Sequence, residues 1–183
     1  MSSVRLLACL PLLIATITRA EAADLAPGAE APDFTLEAVA GELSGEVTLS
    51  AVAAENPVVL VVLRGYPGYQ CGLCSRQVAG YVAAAKQFAG KDARVLMVYP
   101  GPEAQLAARA NEFLRGSQLP APLTLLLDPD YTMVNAYGLR WDAPKETAYP
   151  SAFLIDADRK IQFVNISRSH GGRTTANAVL AKL

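Results

Sequence analysis

The feature that most constrains this chain is a strand-like apolar run that turns straight into a helix-like segment carrying two cysteines. Val58-Val59-Leu60-Val61-Val62-Leu63 is continuously apolar and mostly β-branched. That pattern suits a central strand covered on both faces. A turn-rich link, Arg64-Gly65-Tyr66-Pro67-Gly68-Tyr69-Gln70, leads into Cys71-Gly72-Leu73-Cys74. A helix beginning at this point aims its unpaired backbone N–H groups and the positive end of its dipole at the sulfur. Both favour thiolate over thiol, and thiolate is the nucleophile. The spacing therefore points to thiol–disulfide chemistry.

The third cysteine, Cys9, lies in a different kind of segment. Arg5 precedes an apolar stretch from Leu6 to Ile17, and Ala20-Glu21-Ala22 has the small-x-small form of a cleavage site. The stretch is short for a membrane span. Residues 1–22 read as a signal peptide, or, if retained, as an N-terminal anchor. Export to the periplasm or beyond would put the protein in an oxidising compartment, where a cysteine pair can persist as a disulfide. Residues 23–183 read as one domain, long enough at about 160 residues to bury a core. A formal net charge of −1 without blocks of like charge argues against nucleic acid as a partner.

Past the cysteines, Val78, Val82, Ala85 and Ala89 recur at helical spacing until Gly90. Arg94–Tyr99 is the next strand. Leu106, Ala110, Phe113 and Leu114 define an amphipathic helix from about Pro102 to Arg115. Leu123–Leu127 reads as a buried strand stopped by Asp128-Pro129-Asp130, with a short helix over Tyr131–Tyr137. Ala152–Ile155 and Ile161–Ile166 flank a hairpin turn, and Thr174–Leu183 reads as a terminal helix. Further short strands fit near Phe34–Leu36 and Val47–Leu49. The alternation predicts an α/β thioredoxin-like fold, a mixed central sheet with helices on both faces.

Several segments resemble the peroxiredoxin-like, or redoxin, branch of the thioredoxin-like superfamily, the alkyl hydroperoxide reductase and thiol-specific antioxidant proteins. Ala31-Pro32-Asp33-Phe34-Thr35-Leu36 is similar to their opening strand. Leu126-Leu127-Asp128-Pro129-Asp130 with Ala136-Tyr137-Gly138-Leu139 is similar to their strand, turn and short helix. Tyr149-Pro150-Ser151-Ala152-Phe153-Leu154-Ile155-Asp156 resembles their late hairpin. The family's Pro-x-x-x-Thr/Ser-x-x-Cys pattern is kept at Pro67 and Cys74, but Cys71 takes the hydroxyl position. Pro150 takes the place of the family's activating arginine. It matches instead the cis-proline of thioredoxins, so the resemblance implies a cis bond at Pro150 facing the dithiol.

The resemblance implies an exported antioxidant or thiol oxidoreductase, cycling Cys71 and Cys74 between dithiol and disulfide. It would reduce peroxides or protein disulfides without a bound cofactor and draw electrons from a thioredoxin-like protein. In a thioredoxin-like sequence of steps Cys71 attacks and Cys74 resolves. In a peroxiredoxin-like one Cys74 is oxidised first and Cys71 condenses with it. Both end in the same bond, and Cys71 is favoured as first nucleophile. Arg64, just past the strand, could favour the thiolate or be a solvated turn residue. Tyr66 and Tyr69 could form an apolar platform, and Arg140 and Trp141 could rim a substrate groove. His170, the only histidine, reads as exposed in a polar loop.

Two other classes remain open. Sco-type copper chaperones share the fold and use two cysteines and a histidine, but their cysteines are one residue further apart and their histidine lies before the hairpin. Structural zinc normally needs four ligands, more than Cys71, Cys74 and His170 provide, so no metal site is expected. A non-catalytic redoxin-fold interaction domain, with the disulfide as a staple, is the third reading.

Overall fold

A computed structural model describes residues 25–183. The proposed signal peptide and Cys9 lie outside the described residues. The elements are β1 (Thr35–Gly41), β2 (Gly45–Thr48), α1 (Leu49–Ala53), β3 (Val58–Val62), α2 (Gly72–Ala83), α3 (Ala85–Ala89), β4 (Arg94–Gly101), α4 (Leu106–Leu114), β5 (Leu123–Pro129), α5 (Thr132–Ala136), β6 (Ser151–Ile155), β7 (Ile161–Ile166) and α6 (Ala176–Leu180). They form one seven-stranded mixed sheet in the order β2-β1-β5-β4-β3-β6-β7. This is the expected α/β, thioredoxin-like architecture.

β3 lies between β4, parallel to it, and β6, antiparallel. All five of its residues are buried, as its unbroken apolar run requires. Alternate residues face two cores. Val59 and Val61 join α2, α3, α4 and α6 on one side, while Val58, Leu60 and Val62 join α1 and α5 on the other. β3 thus delivers the chain at the end of a rigid, doubly covered sheet, where the cysteines begin the next helix.

Several elements depart from their expected form. The helix after the cysteines breaks at Ala84, and its buried side is Cys74, Val78, Tyr81, Ala84, Ala85 and Phe88. Val82 is only half-buried and Ala89 is exposed. Tyr81 and Phe88 stack with ring centres 5.7 Å apart, so two aromatics carry the contact that the valine–alanine stripe suggested. α4 starts at Leu106, because Gln105 before it is left-handed, and keeps its four expected buried residues. Asp128 continues β5 instead of ending it. It is buried, and its carboxylate accepts the N–H groups of Met133 and Val134, capping α5. Leu49 opens a short helix, α1, where a strand residue was expected.

Pro150 is also different. Among the described residues the cis peptide bond is Ala121–Pro122, and Tyr149–Pro150 is trans. Tyr149 donates its N–H to Leu139 O, and Pro150 O accepts from Ser167 N, so the backbone runs extended straight into β6. The trans form, lower in energy for an X–Pro bond, meets both contacts.

Candidate active site

Cys71 is the N-cap of α2. Its backbone is extended (φ −85°, ψ 107°), and its sulfur accepts the N–H of Cys74 at 3.4 Å. This is the position where a Ser or Thr side chain ordinarily satisfies a free N–H of the first turn. A thiolate there gains a charge-assisted bond and the helix dipole together. Cys74 stands one turn further in and is fully buried, while Cys71 keeps 4% of its surface exposed. Both thiols are free.

The link that positions them is anchored at both ends. Gly65 has φ +72°, and a Cβ on it would lie 1.9 Å from the carbonyl oxygen of Pro100, so only glycine fits. Gln70, next to Cys71, accepts from the Tyr99 hydroxyl and donates to Arg109 O, both at 2.9 Å. The loop is thereby fastened to β4 and α4. Pro67 lies half-buried in the turn between these anchors.

Two arginines flank the cysteine pair, Arg64 in the link before it and Arg173 beside the Cys71 sulfur. Arg64 is buried, 3% exposed, and is no solvated turn residue. Its Nε donates to Glu146 Oε2 at 2.5 Å, Nη1 to the Tyr69 hydroxyl at 2.6 Å and Nη2 to Lys145 O at 2.6 Å. Burial opposes its charge, but the bonds to Glu146 and Tyr69 outweigh it and hold the guanidinium protonated. Arg173 comes from the loop after β7. It donates from Nη1 to Gln77 Oε1 at 2.9 Å, and its Nη2 lies 3.9 Å from Cys71 Sγ.

These surroundings drive the two thiols apart. Hydrogen bonding from the Cys74 side chain is the largest effect on Cys71. The Cys74 N–H, the charge of Arg173 and the Arg64 side chain add to it against burial, and the thiol is lowered to about 5. Cys74 is pushed well above its ordinary value, chiefly because it donates to Cys71 and because it is buried. The shifts favour the charge on Cys71 and the proton on Cys74.

The remaining expected residues divide. Pro150 is buried one residue beyond the Val62–Ser151 pair, at the same end of the sheet as Arg64. Tyr69 is 46% exposed but binds Arg64 through its hydroxyl, and Tyr66 lies under the Arg109 guanidinium. Arg140 packs over Tyr131 and donates to the carbonyls of Trp141 and Thr147, a role in holding the loop. His170 is half-exposed, yet its Nε2 lies 2.8 Å from Glu146 Oε1, which draws it into the network behind Arg64. No group of three or more metal-ligating side chains occurs among the described residues.

Sequence reasoning missed Glu146 and Arg173. Arg173 closes the Ser169-His170-Gly171-Gly172-Arg173 loop, and a basic residue after a Gly-Gly turn was its one available signal. Glu146 lies 82 residues from Arg64 and gave none. Two grooves flank α2. One, about 500 Å³ in volume, opens at Gly72 and runs along Val78 and Val82 against Phe113 and Leu119. The other, about 330 Å³, lies between Leu73, Gln77 and the loop of His170 and Arg173.

The Cys71 sulfur at the start of a helix, with a buried thiol three residues on and the Arg173 guanidinium 3.9 Å away, sits on a thioredoxin-like fold. The chain belongs to the AhpC/TSA family, whose sequence model matches residues 27–164. No curated protein matches it. Among solved structures it is similar to the peroxidoxin BcpB of Mycobacterium tuberculosis, with 24% identity and a TM-score of 0.64 over 87% of this chain and 96% of that one. It is also similar to reduced Prx3 of Vibrio vulnificus, crystallised with hydrogen peroxide (21% identity, TM-score 0.67, covering 87% and 100%). A Chlorobium tepidum protein provisionally assigned as the thiol:disulfide interchange protein DsbE matches at 24% identity with a TM-score of 0.62, covering 87% and 99%. At these identities the neighbours share the fold.

Proposed function

We propose that this protein is an exported thiol oxidoreductase in which Cys71 attacks, Cys74 resolves, and the product is a Cys71–Cys74 disulfide. The observation that carries the reading is the contact of the Cys74 N–H with the Cys71 sulfur, because it favours charge on that sulfur. With a peroxide, the Cys71 thiolate attacks one oxygen and the O–O bond breaks. An alcohol or water leaves after taking a proton, and Cys71 becomes a sulfenic acid. The Cys74 sulfur then attacks Cys71, water leaves, and the disulfide forms. With a protein disulfide, the thiolate displaces one sulfur, and Cys74 releases the other from the mixed disulfide. A thioredoxin-like protein dithiol returns the two electrons.

Both substrates have a parallel among the structural neighbours, one crystallised with hydrogen peroxide and one provisionally assigned to disulfide interchange. The raised pKa of Cys74 suits a resolving thiol, which must stay neutral until the intermediate forms. The flanking grooves offer room for a substrate larger than hydrogen peroxide. Export rests on the N-terminal segment and is tested by sequencing the N-terminus of the protein recovered outside the cytoplasm.

The deciding experiment treats reduced wild type, Cys71→Ser and Cys74→Ser with hydrogen peroxide and, separately, with a disulfide-bonded protein. Cys74→Ser is expected to trap a sulfenic acid or a mixed disulfide on Cys71, and Cys71→Ser to be inert. Fast reaction with peroxide alone identifies a peroxidase, and fast reaction with the disulfide alone an oxidoreductase. Rates no better than a free thiol with both substrates would overturn the catalytic reading and favour an interaction domain.

A further inference from the structure

We propose that Glu146 is the positioning residue of this thiol site, one carboxylate that anchors Arg64 in the link leading to Cys71 and, through His170, holds the Arg173 guanidinium at the Cys71 sulfur. Its two oxygens go separate ways. Oε2 accepts from Arg64 Nε at 2.5 Å, and Oε1 lies 2.8 Å from His170 Nε2. Arg64 belongs to the link between β3 and α2. His170 belongs to the loop after β7, and its carbonyl accepts from Arg173 Nε at 3.1 Å. Arg173 Nη2 in turn lies 3.9 Å from Cys71 Sγ. The carboxylate ties one arginine directly and the other through His170.

The loop bearing Glu146 is shaped for this contact. Lys145 is left-handed at φ 62°, unfavourable for a residue with a side chain, and its carbonyl accepts from Arg64 Nη2. Trp141, earlier in the loop, stacks on Tyr149 with centroids 4.9 Å apart and packs on the His170 ring at 5.1 Å. The Glu146 side chain is only 10% exposed, so little water competes for its oxygens. Burial opposes its charge, but the bonds from Arg64 and His170 exceed that effect and keep it ionised.

This inference rests on Cys71 being the attacking thiolate, and it makes a prediction of unusual sign. The groups that act on the sulfur are the cations Arg173 and Arg64, the Cys74 thiol and N–H, and the Tyr99 hydroxyl, with Glu146 behind the arginines. A carboxylate acting only through its charge raises the pKa of a nearby thiol. Its removal would then lower the pKa. A positioning carboxylate does the reverse, because without it Arg64 loses its anchor and Arg173 is no longer held at the sulfur.

The test follows the thiolate absorbance of the reduced full chain against pH in wild type, Glu146→Ala, Glu146→Gln and His170→Ala, with Cys71→Ser as blank. Glu146→Ala is expected to raise the Cys71 pKa by about one unit or more, a tenfold loss of thiolate below it. Glu146→Gln, still able to accept from Arg64, is expected to fall between. His170→Ala keeps the carbonyl that accepts from Arg173 and cuts only the tie of that loop to Glu146, so it should give a smaller rise. If Glu146→Ala does not fold, the other two variants carry the same comparison. Unchanged or lowered pKa values in folded variants overturn the inference while leaving the attacking role of Cys71 intact. An ordinary Cys71 pKa in wild type overturns both.

Discussion

The Cys74 N–H points at the Cys71 sulfur at 3.4 Å, so the side chain that caps α2 is also the one we propose as the nucleophile. The cap is strongest when that sulfur is a thiolate. Oxidation removes the charge and weakens the cap, so the dithiol form is favoured relative to the disulfide.

The disulfide is therefore expected to be oxidising, with a reduction potential above the roughly −270 mV of thioredoxin. Equilibration with glutathione buffers of defined composition measures it. A value at or below that of thioredoxin contradicts the stabilising cap.

The same cap makes the stability of the reduced protein depend on pH. Cys71 is lowered from 9.0 to about 5 in the folded chain. Between those values the unfolded state binds more protons, so stability rises with pH across that window and is lost as pH falls through the folded value. The melting temperature of reduced wild type, measured relative to Cys71→Ser, should increase between the lower and upper parts of this range. A gap independent of pH would show that Cys71 titrates alike in both states.

The two arginines are expected to separate stability from reactivity. Arg64→Ala leaves the Glu146 carboxylate without its buried partner and should cost about 3–5 kcal/mol in urea unfolding. Arg173→Gln removes a half-buried charge and should cost less than about 1 kcal/mol. Both should raise the Cys71 pKa, read from thiolate absorbance.

Gly65→Ala should damage the fold and the site together. The new Cβ would meet Pro100 O at 1.9 Å and Pro100 Cδ at 2.8 Å, in a backbone conformation unfavourable to alanine. A loss of about 2 kcal/mol or more is expected, with slower alkylation of Cys71. Wild-type behaviour in both would show that the link is not held by this approach.

The fold was legible because its main signals are local and strong. The unbroken β3 run, the Asp156–Lys160 hairpin turn and the α4 stripe each specify their own element. The α2–α3 break was not, since Ala84 gives no stop signal and Tyr81 and Phe88 sit off the aliphatic stripe. The cysteine pair and Arg64 were visible because they adjoin in sequence. Glu146 and Arg173 reach the site only through tertiary folding, from loops whose residue types are ordinary surface ones. Pro150 shows the limit of a local likeness. Its hairpin matched, but the contacts of Tyr149 and Ser167 set its peptide bond.

The most direct test of the account is the pH profile of iodoacetamide alkylation of the reduced protein, with the modified residue located by peptide mapping. The expected result is modification of Cys71 with a midpoint near 5, while Cys74 stays unmodified until the protein unfolds. Preferential alkylation of Cys74, or a Cys71 midpoint at the ordinary thiol value, would contradict it.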